Sequence, residues 1–310
     1  MELILADPAL SSQPFLPQEK ILPTRLYLTR EELWAGILDQ AAALNITGIM
    51  TLPGSKLFSL LLKHPNRWPL TPWLVIPDVY QLARDASRYG TTGAAARKIL
   101  RLSLWNQLRL GALMLKHPGQ AMKLKFELMM NILAASDGFG LGQWPGAEPG
   151  VILHHQITDL ALAFDQKNFF TLFISAISGM LKARPALATR NFTRLTGLLA
   201  KSGDGRAQIL TPVNAKGFLM QPDRKTAEAA VRSWKNNGGV LAEFWHLPGS
   251  DNIEADAAYI QNLGIAGAII QIEDLRNTRK KPAIKRLGDS PSPQPSPLKG
   301  EGISGAASSS

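Results

Sequence analysis

The chain contains five histidines, at positions 64, 117, 154, 155 and 246. Three of them, His154, His155 and His246, fall with Glu243 at the ends of short apolar runs. Imidazole and carboxylate exchange protons near neutral pH when their surroundings tune them, so such a group suits general acid/base catalysis. Glu243 is the most informative member, because it sits inside VLAEFW, a run expected to be buried on both faces. An unpaired carboxylate there is costly, and burial raises its pKa towards the range useful for proton transfer. The competing assignment is a structural ion pair with Arg25 of the run TRLYLT. Side-chain alternation along a strand allows only one of His154 and His155 to face inward while that strand lasts. These residues, together with Glu273, also have the ligand chemistry of a zinc, iron or manganese site. No HExxH, HxH or paired-carboxylate motif supports that reading, so the cofactor is left unknown, with a divalent metal as one option.

A second set of polar residues stands at run ends where an anionic substrate would be oriented: Thr51, Thr189, Arg190, Asn191, Thr211, Asn214, Lys216 and Gln271. Lys216 is the nearest candidate for a Schiff base, and a solvated loop lysine is the simpler assignment. Two segments lead into helix starts, where free backbone N–H groups attract anions: LPGSDN at 247–252 and ATRN at 188–191. Asp251 and Glu254 weaken the first of these. No Walker loop or GxGxxG is present, and the GTTG at 90–93 is too short to stand for either.

Positioning such groups requires a sheet, and eight β-type runs alternate with amphipathic helical stretches between residues 22 and 288. The runs begin at Thr24, Gly48, Trp73, Val151, Ala186, Ala207, Val240 and Ala266. Between them, Thr29 and Glu32 form a capping box before Leu33, Ile37, Ala41 and Leu44 on one face. Pro222 and Asp223 open a helix with Ala227, Val231 and Trp234 on its buried stripe, and Phe192, Leu195 and Leu199 repeat the arrangement after Asn191. Eight strand–helix units match a (β/α)8 TIM barrel in number and size, with an open doubly wound sheet as the alternative. The connection from Asp78 to Gly150 is about twice the length one helix needs, so a helical insertion over 90–148 is expected between strands three and four. The domain reading is an N-terminal extension over 1–21, a barrel over 22–288 that includes this insert, and a disordered tail over 289–310.

Charge follows the same division. Lys and Arg number 34 against 24 acids, a net +10 that calls for an acidic partner of some kind. Nine of the basic residues fall between 84 and 126 (84, 88, 97, 98, 101, 109, 116, 123, 125), against Asp85 alone. A further seven lie between 276 and 299 against Asp289, so the rest of the chain is slightly acidic. That distribution argues against specific nucleic-acid binding by the barrel, and no zinc finger or helix-turn-helix signature is present. The absence of cysteine excludes disulfides, thiolate metal sites and cysteine nucleophiles. The N-terminus lacks the basic region of a secretory signal, and the apolar stretch 169–181 is too short to span a bilayer, so a cytoplasmic location is expected. The Ser/Pro-rich tail resembles translated intergenic repeats that extend bacterial reading frames.

The segments LATRN (187–191) and ILTPVNAKGFLMQP (209–222), with the spacing of the runs, resemble aldolase-type (β/α)8 barrel proteins of a prokaryotic group to which no activity is assigned. The resemblance covers about residues 22–275 and implies the fold without supplying catalytic residues. The expectation is a barrel enzyme of lyase or isomerase type acting on a small carboxylated or phosphorylated metabolite, with Glu243 and a histidine as its acid/base pair. The alternative is a non-catalytic barrel scaffold whose basic insert docks to an anionic membrane surface or a protein partner.

Overall fold

The computed structural model describes residues 1–7, 10, 31–116, 136–139, 141, 144, 146–202, 205–234, 239–243, 253–276 and 281–289. Eight parallel strands close into a barrel in chain order: β1 (Glu2–Ala6), β2 (Gly48–Thr51), β3 (Thr71–Ile76), β4 (Gly150–Leu153), β5 (Arg184–Ala188), β6 (Gln208–Pro212), β7 (Val240–Glu243) and β8 (Gly267–Gln271). Followed from Ile4 through each successive pairing, the register returns to β1 displaced by eight residues. A stagger of about eight residues around eight strands is the geometry that tilts a TIM barrel's staves enough for side chains to fill its centre.

The helices on the outside are α1 (Glu31–Ala43), α2 (Lys56–Lys63), α3 (Val79–Leu100), α4 (Leu104–Lys116), α5 (His155–Ala163), α6 (Lys167–Ala176, continued by a π-helical turn), α7 (Phe192–Ser202), α8 (Arg224–Trp234), α9 (Ile253–Leu263), α10 (Ile272–Arg276) and α11 (Lys281–Asp289). Their apolar stripes pack on the outward faces of the strands, where Leu38, Phe170, Phe173, Leu195 and Ile260 are fully buried with Ile49, Leu187 and Ile209. Asp223 caps α8 by accepting from the Thr226 backbone N–H at 2.9 Å, and Ala227, Val231 and Trp234 are that helix's buried stripe, as its sequence requires.

The first stave departs from the sequence expectation. It is ELILA at the start of the chain, paired in parallel with both β2 and β8, and not the run from Thr24. The stretch expected as an extension therefore belongs in part to the barrel, while residues 22–30, Arg25 among them, lie outside the described residues. Leu3, Ile4, Leu5 and Ala6 are all enclosed, as a strand covered on both faces must be. ELILA and the run from Thr24 are both short β-type runs, and periodicity does not choose between them. The tail beyond Asp289 likewise lies outside the described residues.

Inside the barrel, Ile4, Met50, Trp73, Val75, Ile152, Ala186, Leu210, Leu241 and Ile269 form a separate apolar cluster. Its floor is an ion pair under an indole. Arg184 donates to the Glu2 carboxylate at 3.3 and 3.4 Å and lies 4.4 Å over the Trp73 ring, whose Nε1 donates to Glu2 at 3.2 Å. Trp73 fits because its register partner on β4 and a nearby residue of β2 lack side chains: a Cβ at Gly150 would lie 1.9 Å from the indole, and one at Gly48 would lie 3.2 Å from it. The inner ion pair is thus Glu2 with Arg184, at the end of the barrel opposite the strand C-termini.

Candidate functional site at the barrel mouth

Reactive groups in such barrels sit at the C-terminal strand ends, and here the ends of β3, β4 and β5 gather the titratable side chains. β4 stops at Leu153, one residue short of the histidines. Strand alternation therefore does not separate them, and both imidazoles belong to the start of α5. His154 is its N-cap, with Nδ1 accepting the Gln156 backbone N–H at 3.2 Å. That bond engages the Nδ1 lone pair, so the neutral ring carries its proton on Nε2 and presents a donor there. His155 stacks on it, with ring centroids 4.5 Å apart and planes 28° from parallel.

Both rings are held neutral. Burial lowers His154 to about 4, with Asp78 opposing and Arg190 adding to the effect. Burial, the His154 neighbour and Arg190 lower His155 to about 3. A helix N-terminus disfavours an imidazolium as well. Arg190 comes from the turn after β5, and its charge acts on both rings. Its turn is fixed by Asp159 of α5, which accepts from Thr189 Oγ1 at 2.6 Å and from the Arg190 backbone N–H at 3.4 Å. Burial pushes the Asp159 carboxyl up, against the pull of those two hydrogen bonds. Asp78 caps α3 by accepting from the Gln81 N–H at 2.9 Å.

No family model matches this chain, and no curated protein does either. The assignment of the site therefore rests on its geometry.

A second polar group spans β1 and β2. The Phe58 N–H donates to Ser55 Oγ at 3.0 Å, Ser55 Oγ meets Thr51 Oγ1 at 2.7 Å, and Thr51 Oγ1 donates to Asp7 Oδ2 at 2.7 Å. Each hydroxyl has one proton, so the donors all run one way and end on a carboxylate only 2% exposed. Next to β1 in the sheet, the Gln271 N–H donates to buried Asp274 at 3.3 Å. Gln271 Oε1 is buried without a hydrogen-bond partner among the described residues. Asp7 is the residue that the sequence reading missed, for the same reason that it missed β1.

Most of the expected anion ligands are occupied elsewhere. Thr51, Thr189 and Thr211 share the parity of Ile49, Leu187 and Ile209, which pack against the outer helices, so these threonines belong to the frame around the site. Asn191 caps α7, its Oδ1 accepting from the Arg194 N–H at 3.2 Å. Asn214 clamps its own loop, donating to Phe218 O at 2.8 Å and accepting from Phe218 N at 2.9 Å. Lys216 is exposed to solvent. Of the set, Gln271 stays on the inward parity of β8, and Arg190 lies in the turn after β5.

Glu243 is described in backbone only, paired in register with Pro212 and Ile269, while His246 and the LPGSDN loop lie outside the described residues. Among the described residues no three His, Asp or Glu side chains converge as metal ligands.

Helices α3 and α4 occupy the long connection between β3 and β4. The GTTG segment lies within α3, where Gly90 takes φ 71° and ψ 165° and breaks the helix. The halves on either side enclose a cavity of about 200 Å³ lined by Gln81, Asp85, Lys98, Arg101 and Asp137. Lys98 pairs with Asp137 at 2.6 Å. Burial pushes the Asp137 carboxyl up, against the pull of Lys98 and of a hydrogen bond from the Asp78 backbone, and that backbone bond links the pair to the residue that caps α3.

Proposed function

We propose that this barrel is an enzyme of lyase or isomerase type acting on a small carboxylated or phosphorylated metabolite at the ends of β3, β4 and β5. The observation that carries the reading is the stacked, neutral pair His154 and His155 beside Arg190. A guanidinium supplies the charge that holds an anionic group. A neutral imidazole at a helix N-terminus donates to a carbonyl or developing oxyanion without adding a second fixed cation. In this scheme Arg190 binds the anionic end of the substrate, His154 Nε2–H polarises the reacting oxygen and His155 holds the first ring in place. A carboxylate abstracts the proton, and Glu243, at the end of β7, remains the candidate for that role. Histidines with pKa values this low are weak bases, which is why the base is assigned to a carboxylate. We further place the protein in the cytoplasm, near the aldolase-type barrels that its 187–191 and 209–222 segments resemble. No described helix is long and apolar enough to cross a membrane.

The test is a thermal-shift screen of phosphorylated and carboxylated metabolites on wild-type protein and on Arg190→Met. A ligand that raises the wild-type Tm and fails to raise that of the variant supports the site. Ligands that stabilise both proteins equally remove it.

A further inference from the structure

We propose that the outward face around the junction of α3 and α4 is a docking surface for an anionic lipid membrane. Large apolar side chains that are exposed are few among the described residues, and they are concentrated here: Leu100 is 74% exposed, Leu104 73%, Trp105 64% and Leu108 58%. Leu104 and Leu108 lie one turn apart on α4 with Trp105 beside them, and Leu100 ends α3 just before the turn that leads into α4. Helix α4 already buries its other side, since Leu110 is 2% exposed and belongs to the main core. Leu104, Trp105 and Leu108 are therefore a second apolar face on a helix whose core-facing side is already used.

Charge identifies the occupant. Arg97, near the end of α3, and Arg101, in the turn between the two helices, are exposed close to Leu100 and Leu104 in the chain. From Ala86 to Phe126 the chain has eight basic residues and no acid. A second copy of this chain would bring the same charge against itself. Leucine and tryptophan flanked by arginine is the composition that lies in the interface of an anionic bilayer, the indole at headgroup level and the guanidinium groups on phosphates. Seated this way, the protein rests on the surface and presents the connection between β3 and β4 to the lipid.

The experiment is vesicle co-sedimentation of the full chain with phosphatidylcholine vesicles, with and without phosphatidylglycerol. Wild-type protein is expected to sediment with the anionic vesicles, about tenfold more weakly with neutral ones or at high salt. Leu104→Gln with Leu108→Gln is expected to lower binding at least about tenfold with an unchanged Tm, because both side chains are exposed. Arg97→Gln with Arg101→Gln is expected to flatten the salt dependence. Phe164→Gln, at a 67% exposed position at the end of α5, is expected to bind like wild type. Several results overturn the proposal: no binding by wild type, equal binding to neutral vesicles, binding unchanged by the leucine variants, or equal loss in Phe164→Gln. So does a dimer in light scattering that the leucine variants dissolve, since it makes this face an interface between copies.

Discussion

Lowering the pH from 7 to 5 is expected to destabilise the fold through His154 and His155 in particular. In the unfolded chain both imidazoles titrate near the ordinary value of about 6.5, whereas in the fold they are lowered to about 4 and about 3. A depressed folded pKa means that the unfolded chain binds protons first, so stability falls as pH drops below about 6.5 and stops falling below the folded values. At pH 5 each unfolded ring is almost fully protonated while each folded ring stays neutral, about 1.5 pK units or about 2 kcal/mol per histidine. The rings are in contact and retain some solvent access, which brings the pair to about 2–4 kcal/mol in total. Asp137 and Asp159 act with the opposite sign: their raised folded pKa values add stability as the pH falls towards them. Comparison with His154→Asn/His155→Gln cancels these terms, and Asn at 154 keeps an acceptor for the α5 cap. Urea unfolding at both pH values supplies the four free energies. The wild type should lose about 2–4 kcal/mol more than the double variant between pH 7 and 5. A difference below about 0.5 kcal/mol would refute the claim that the fold holds these rings neutral.

Three further outcomes follow from the packing. Gly150→Ala places a methyl 1.9 Å from an indole that is itself fully buried, so a loss of about 3 kcal/mol is expected in urea unfolding, and an unchanged midpoint would contradict the fit of Trp73. Thr51→Val leaves Ser55 without its acceptor and takes one donor from Asp7, costing about 1–3 kcal/mol, whereas Thr193→Val on α7 should be near neutral. Asn214→Ala frees the 214–218 loop, seen as faster limited proteolysis there with about 1 kcal/mol of lost stability.

Seven of the eight staves were legible because a parallel strand covered on both faces has to be a nearly unbroken apolar run, and GIMTLP, WLVIP, VILHH and AGAIIQI are such runs. ELILA obeys the same rule, but the run from Thr24 is of the same kind and completes a count of eight without it, so the first stave and Asp7 beside it are missed together. The polar residues at strand ends show a different limit. Residue type marks Thr189 and Asn214 as able to bind an anion, yet their bonds to Asp159 and Phe218 depend on which helix and loop pack beside them. The histidine pair was recognisable as chemistry, while its stacking depends on where β4 stops, a boundary that one residue decides. Trp73 and the glycines that admit it are neighbours only through the barrel's stagger, which no local pattern encodes.

The most direct test of the site is long-range 15N–1H spectroscopy of histidine-labelled protein at pH 6, before and after addition of inorganic phosphate. The account predicts neutral rings at His154 and His155, the proton of His154 on Nε2, and phosphate-dependent shifts at these two among the five histidines that vanish in Arg190→Met. An imidazolium at either position, or phosphate shifts confined to other histidines, would contradict it.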